Sequence, residues 1–159
     1  MSISDLIVVM KTGVIQQTGK PQDIYDDPCN LFVAKFLGTP PISVFKGRIQ
    51  DGGIFIGGDR ILEADGLSDR EVYVGIRPEG YILDKNGPLH CKLIRVEVMG
   101  RDISIVSSNE NAENPTVRSI ISSENSVDTS SDMVRFSVKP GKVFVFDKET
   151  EERIYFPAE

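Results

Sequence analysis

The residues that most often carry out chemistry are scarce in this chain of 159 residues. His90 is the single histidine, and Cys91 follows it directly. Adjacent side chains in a β-strand point to opposite faces, so these two cannot act there as nucleophile and general base. Only one further cysteine, Cys29, is present, which is too few for a zinc site or a disulfide scaffold. An independent enzyme would require His90, Cys91 and a carboxylate to meet in one cleft.

Two other signatures of catalysis are weak or missing. The sequence contains no Gly-x-x-x-x-Gly-Lys-Ser/Thr loop, and its glycine pairs at 52–53 and 57–58 lie between predicted strands, where no helix could bind a phosphate. The glutamates show no spacing that marks a glycosidase pair; those considered are Glu71, Glu79 and Glu97. We therefore predict no catalytic residue, no metal site and no cofactor in this chain.

The tripeptide Arg77-Pro78-Glu79 is more informative. It follows the apolar run 72–76, and Pro78 cannot donate a hydrogen bond to a continuing strand. One interpretation is a structural corner with a local ion pair. The other is a contact between Arg77 and another domain or subunit, because arginine is favoured at interfaces. The residues alone leave both interpretations open.

The charge of the chain is unevenly distributed. Its 18 basic and 24 acidic residues give a formal charge of -6. In the range 107–132, five carboxylates against one arginine contribute -4. This range is rich in small polar residues, which predicts an exposed loop with one short strand at 116–121. The acidic balance argues against a nucleic-acid partner.

The apolar content also limits the class of protein. Hydrophobic residues make up 40% of the chain, which is typical of a folded globular protein with one core. No apolar run approaches the ~20 residues needed to cross a bilayer. The first five residues have no basic leader, so we expect a cytoplasmic location.

The elements that must position these residues begin with a predicted hairpin of strands 6–10 and 14–17, which turns at Gly13. A short helix is predicted from Pro21 through Tyr25. A second helix is predicted with Asp27 as N-cap and Pro28 as its first residue. Four apolar residues recur there at helical spacing and predict one buried stripe, which docks either on the chain's own sheet or on an absent partner: Phe32, Val33, Phe36 and Leu37.

From Ser43 onward the hydrophobic period is two, which predicts strands. They are 44–50, 54–56, 72–77, 89–99, 102–107, 133–138, 142–146 and 153–156. The alternation changes phase near Leu93, which predicts a β-bulge. Many short strands with regular turns favour a mainly β fold, either an antiparallel OB-fold-like barrel or a sandwich.

Several segments together resemble a known family. Residues 5–40 contain Asp5-Leu6-Ile7-Val8-Val9-Met10, Gly13-Val14-Ile15-Gln16-Gln17-Thr18-Gly19 and Asn30-Leu31-Phe32-Val33-Ala34-Lys35-Phe36-Leu37-Gly38-Thr39-Pro40. These resemble the end of the ATPase domain and the connector in ATP-binding subunits of ABC importers of the maltose and glycerol-phosphate type. Val74-Gly75-Ile76-Arg77-Pro78-Glu79 is similar to the hallmark of their C-terminal regulatory (TOBE) domain, and Phe146-Asp147 with Arg153-Ile154 is similar to its closing strands.

The resemblance implies three parts: a terminal hairpin of the ATPase domain at 1–19, a helical connector at 20–40, and an OB-fold-like regulatory domain at 41–159. It implies a regulatory and dimerisation role without catalysis, with ATP and magnesium bound only by the ATPase domain that would precede this chain. The implied partners are a second copy, importer membrane subunits and a regulatory protein or small ligand. The candidate interface residues are Arg77, Pro78, Glu79, Phe32, Phe36, Phe146 and Asp147. The alternative function is a module that senses an oxyanion or a sugar.

Overall fold

A computed structural model describes residues 5–156 of the chain, so the first four residues of the predicted hairpin segment lie outside it. The strands are β1 (Ile7–Lys11), β2 (Val14–Gly19), β3 (Ser43–Gln50), β4 (Gly53–Ile56), β5 (Asp59–Glu63), β6 (Arg70–Ile76), β7 (Tyr81–Leu83), β8 (Leu89–Met99), β9 (Asp102–Ser108), β10 (Val117–Ser122), β11 (Met133–Val138), β12 (Val143–Asp147) and β13 (Arg153–Ile154). The α-helices are α1 (Pro21–Asp26) and α2 (Leu31–Phe36).

The predicted hairpin is present as the antiparallel pair β1 and β2. Its two-residue turn consists of Thr12 and Gly13, both with positive φ, at 48° and 81°. A turn with two positive φ angles matches the twist of the strands that it joins. The inner face of this hairpin is apolar, and Val9 is fully buried there against Ile24 and Val33 of the two helices.

The prediction that Asp27 caps α2 was wrong. The N-cap is Asn30, whose side chain accepts a hydrogen bond from the Val33 N–H at 2.9 Å. The residues before it run alongside the end of the chain, because the Cys29 carbonyl accepts from the Arg153 N–H. This pairing keeps the Asp27–Pro28 segment out of the helix.

Three residues of the predicted apolar stripe pack together against the hairpin: Val33 is buried there, and Phe32 and Leu37 are partly buried against the same cluster. Two other residues of α2, Leu31 and Ala34, pack on the outer face of the six-stranded sheet described below. Phe36 remains 58% exposed. The helix ends at Phe36, and the extended backbone of Leu37 does not continue its spacing.

Two antiparallel sheets form an OB-fold-like, nearly closed barrel. One sheet has the order β10-β9-β8-β11-β7 and the other the order β13-β12-β6-β3-β4-β5. Both sheets contribute to a single internal core, which contains Phe45 and Phe136. Strand β12 is apolar at consecutive positions because both of its faces are covered: Val143 and Val145 face this core, and Phe144 and Phe146 face α2.

The predicted strands from 44 onward are all present with small shifts in their ends, and the bulge near Leu93 is confirmed by a register shift between Leu93 and Arg95. Two strands were not predicted, β5 and β7. Both are short, and the residues of β5 alternate irregularly between exposed and buried positions. Pairing with neighbouring strands holds them in place.

The polar range 107–132 contributes to the barrel at two places. Strand β10 pairs with β9 and buries Val117, Ser119 and Ile121. Before it, the Asn111 carbonyl accepts from the Lys46 N–H at 2.8 Å, which connects this range to the other sheet. The predicted short strand is therefore confirmed, and it closes one side of the barrel.

Neither α-helix in the described range 5–156 is long and apolar enough to cross a membrane.

Candidate functional site

Arg77 lies where the barrel meets the helical connector. Strand β6 ends just before it, and Pro78 begins a 3₁₀ turn that spans Pro78–Gly80. The Arg77 N–H donates to the Lys142 carbonyl at 3.1 Å, which connects this corner to the turn before β12. The Arg77 side chain is completely buried, so the sequence motif marks an internal contact of this chain.

The acceptors of the Arg77 guanidinium are backbone carbonyls of the connector. One terminal nitrogen donates to Ala34 O at 2.8 Å and Leu37 O at 3.0 Å, and the other donates to Tyr25 O at 2.9 Å. The first two carbonyls lie at the C-terminal end of α2, where helical carbonyls lack a partner within the helix. A single cation thus satisfies the ends of α1 and α2 together.

Aromatic rings complete the environment of this cation. The guanidinium carbon lies 4.0 Å from the centre of the Tyr25 ring and 5.4 Å from that of Phe144. Burial lowers the pKa of the Arg77 guanidinium, while the nearby Tyr25 and Glu79 oppose this shift. Cation–π contacts gain strength when the cation is desolvated, as it is here.

The outer rim of this junction is polar and partly exposed. The Tyr25 hydroxyl donates to the Glu79 carboxylate, with oxygen distances of 2.9 and 2.8 Å. Burial and this hydrogen bond to Glu79 raise the pKa of Tyr25. The Lys142 ammonium lies 3.6 Å from Glu79 and 3.8 Å from Asp26. The rim therefore joins α1, the 3₁₀ turn and the turn before β12.

Arg153 forms a second attachment between connector and barrel. Its guanidinium donates to the Asp27 carboxylate and to the Pro28 carbonyl, both at 2.9 Å. It also lies 4.6 Å from the centre of the Phe144 ring. Phe144 therefore lies within reach of two cations, Arg77 and Arg153.

The connector is also bonded to the hairpin. The Cys29 N–H donates to the Gln17 side chain at 2.9 Å, and the Asn30 side chain donates to that of Gln16 at 2.8 Å. These contacts and the buried Val9 hold hairpin and connector together. The hairpin, the connector and the barrel, which the sequence predicts as separate segments, are thus joined by one continuous set of contacts.

The remaining predicted interface residues occupy different environments. Pro78 and Phe146 are buried, Phe32 and Glu79 are half-buried, and Phe36 is exposed. Asp147 accepts from the N–H groups of Glu149 and Thr150 and forms an ion pair with Arg70. The structure brings Arg77, Pro78 and Glu79 together at the junction, whereas Phe36 and Asp147 lie outside it. The interface role of all seven predicted residues stays a prediction.

Sequence reasoning did not single out Tyr25, Lys142 or Arg153 as functional partners of Arg77. Tyr25 and Glu79 are 54 positions apart in the chain, and no local spacing connects them. The only signal was indirect: Tyr25 and Arg153 lie within the segments that carry the family resemblance.

His90 and Cys91 point to opposite faces, as predicted. His90 is exposed, with its ring Nδ1 3.1 Å from an Asp59 oxygen, while Cys91 is buried in the core. Burial raises the pKa of the Cys91 thiol to about 11, so a thiolate nucleophile is disfavoured at neutral pH. Among residues 5–156, no three His, Cys, Asp or Glu side chains form a group able to hold a metal ion.

Similar proteins are found among ATP-binding subunits of importers. An sn-glycerol-3-phosphate import ATP-binding protein of Jannaschia sp. is 31% identical over 97% of this chain and 43% of its own length. An oligosaccharides import ATP-binding protein of Bacillus subtilis is 34% identical over 97% of this chain and 46% of its own length. A diacetylchitobiose uptake system ATP-binding protein of Streptomyces coelicolor is 30% identical over 97% of this chain and 47% of its length. No family model matches the chain.

These similarities confirm the resemblance. The chain is homologous to ATP-binding subunits of ABC importers and corresponds to their C-terminal portion. It spans less than half the length of these relatives.

Proposed function

We propose that this chain is the regulatory and dimerisation module of the ATP-binding subunit of a carbohydrate-type ABC importer. The observation that carries the proposal is a continuous set of buried contacts. Arg77 joins the barrel to the connector, and Val9 packs with Ile24 and Val33 to join the connector to the hairpin. A rigid module without catalytic groups can couple distant sites by stabilising one of two subunit arrangements. The carbohydrate type is supported by the transport substrates in the names of the relatives.

The outer face of the hairpin supports a preceding ATPase domain as the first partner. Leu6, Val8, Met10 and Ile15 are apolar and between 49% and 68% exposed. Neighbouring exposed apolar residues of this kind mark an interaction surface. We propose that the ATPase domain covers it and binds ATP and magnesium, and that this chain alone does not hydrolyse ATP.

The further partners follow from the same role. We propose that two copies pair about a twofold axis, which is the commonest symmetry of homodimers. Through its ATPase domain the module would act on the importer membrane subunits, at the cytoplasmic face of the cell membrane. No nucleic acid is part of this proposal.

Pairing can be measured by light scattering on the isolated chain across a concentration series. We expect a dimer at tens of micromolar; a monomer there would contradict the pairing role. Phe36→Asp should weaken the dimer, because Phe36 is an exposed apolar residue of the connector and a charge would oppose its burial. Val98→Asp, at another exposed apolar residue, is the matched control. If only Val98→Asp dissociates the dimer, the role of Phe36 is wrong.

Nucleotide binding can be tested separately by thermal unfolding with and without ATP and magnesium. A ligand that binds only the folded state raises the melting temperature. We expect no shift for this chain, because we assign nucleotide binding to the ATPase domain. A saturable rise would contradict that assignment and leave the pairing measurement unaffected.

A further inference from the structure

A second polar region lies away from the connector, around His90. It is an open cavity of about 560 Å³ between the β4–β5 turn, the beginning of β8 and the segment after β9. Its polar lining includes Asp59, His90, Lys92, Ser108 and Glu110. This volume lies within the ~300–1,000 Å³ range of small-molecule sites.

Hydrogen bonds within the chain fix the floor of this cavity. The Asp59 carboxylate accepts from the His90 N–H at 3.0 Å. The Asn109 side chain donates to the His90 carbonyl at 3.0 Å and accepts from the Asn111 N–H at 2.8 Å. The β4–β5 turn packs tightly here, because a Cβ at Gly57 would lie 2.6 Å from the Asn111 side-chain nitrogen, Nδ2. These contacts are made within the chain itself, so the cavity is preformed.

Three other polar side chains of the lining take no part in these hydrogen bonds. The Lys92 ammonium, the Glu110 carboxylate and the Ser108 hydroxyl form no hydrogen bond with another residue of the range 5–156. They supply both donors and acceptors at the cavity surface. Ile56 and Met133 add apolar wall.

The charges of the lining restrict the class of ligand. Lys92 is opposed by two carboxylates, Asp59 and Glu110, which disfavours a phosphate or sulfate ion. No three metal-ligating side chains cluster in the range 5–156. A ligand with several hydroxyl groups fits better, because hydroxyls both donate to carboxylates and accept from an ammonium or amide. The apolar wall can cover the C–H groups of the same ligand.

We propose that this cavity binds a neutral polyhydroxylated molecule, a small sugar or polyol, between Lys92 and Glu110. Asp59 and His90 form the framework behind these two side chains. The proposal does not rest on the pairing role, since it concerns only the lining of the cavity. Binding by a monomeric chain would support it equally.

NMR titration of the chain with maltose, glycerol and inorganic phosphate tests the proposal. We expect saturable shifts of the backbone amide signals of His90 and Asn109 with a neutral probe. The double variant Lys92→Ala/Glu110→Ala should bind that probe at least about tenfold more weakly, which corresponds to ~1.4 kcal/mol. The matched control is Lys20→Ala/Glu124→Ala, which removes one charge of each sign from exposed positions outside the cavity lining and should bind like the unaltered chain.

Three results would overturn the proposal. The first is the absence of saturation with both neutral probes, and the second is saturation with phosphate alone. The third is equal binding by the double variant and the control. None of these results bears on the light-scattering test of pairing, so the two failures are distinguishable.

Discussion

The connector junction and the cavity around His90 use polar side chains in opposite ways. At the junction, the fully buried Arg77 directs its hydrogen bonds to three carbonyls of the same chain. At the cavity, Lys92 and Glu110 face solvent above a framework that is already hydrogen-bonded. A buried polar group is costly unless it is satisfied. The two terminal nitrogens of Arg77 are satisfied by these carbonyls, although its Nε has no hydrogen-bond partner in the range 5–156. Arg77 therefore serves contacts within the fold, whereas the cavity side chains are available for contacts outside it.

Replacing Arg77 should give the largest effect on stability. Arg77→Met leaves the carbonyls of Tyr25, Ala34 and Leu37 without their donor, and at about 1 kcal/mol for each hydrogen bond the free energy of unfolding should fall by roughly 3 kcal/mol. Urea denaturation measures this change. Arg77→Lys should recover only part of it, because an ammonium cannot reproduce the planar fork of a guanidinium. If the free energy of unfolding fell by less than about 1 kcal/mol, Arg77 would stabilise the fold no more than the cavity side chains do.

The buried thiol beside the cavity should appear in the pH dependence of stability. The Cys91 pKa rises from its usual 9.0 to about 11 on folding, mainly through burial. The unfolded chain therefore releases this proton first, and stability should fall by roughly 2–3 kcal/mol as the pH rises from 9 to 11. Below pH 9 the contribution is fully present. Cys91→Ala should show a flatter fall over this interval, and parallel curves for the two proteins would show that the buried thiol does not contribute.

The rim of the junction should contribute less than its buried centre. Tyr25→Phe keeps the ring beside Arg77 but removes the hydroxyl that donates to Glu79. We expect a loss of about 1 kcal/mol in the free energy of unfolding, typical of one partly buried hydrogen bond. Tyr25→Ala should cost more, because it also removes the cation–π contact. Equal losses for both variants would mean that the ring contributes nothing to the junction.

The cavity side chains should have the smallest effect. Lys92→Ala and Glu110→Ala each change an exposed side chain, so the free energy of unfolding should stay within about 0.5 kcal/mol of the unaltered chain. The same denaturation series measures it. A loss comparable to that of Arg77→Met would show that these residues support the fold, and would contradict the comparison with the junction.

Regular patterns made most of the barrel predictable. Alternation in 133–138 and the phase change near Leu93 identified a strand and a bulge, because each follows from which face of a sheet is buried. The short strands β5 and β7 escaped detection since pairing partners, rather than their own patterns, hold them. The start of α2 was misplaced for a similar reason: the Cys29 carbonyl pairs with Arg153 across the fold.

The sequence by itself determined the class of fold, the separation of His90 from Cys91 and the family to which the chain is homologous, because these depend on local periodicity and on motifs. Only the tertiary structure decided what Arg77 does. Its partners Tyr25, Ala34 and Leu37 lie 40 to 52 positions away, and their carbonyls are backbone groups that any residue could supply. Only the tertiary structure decided the cavity as well, because closure of the barrel brings its distant segments together.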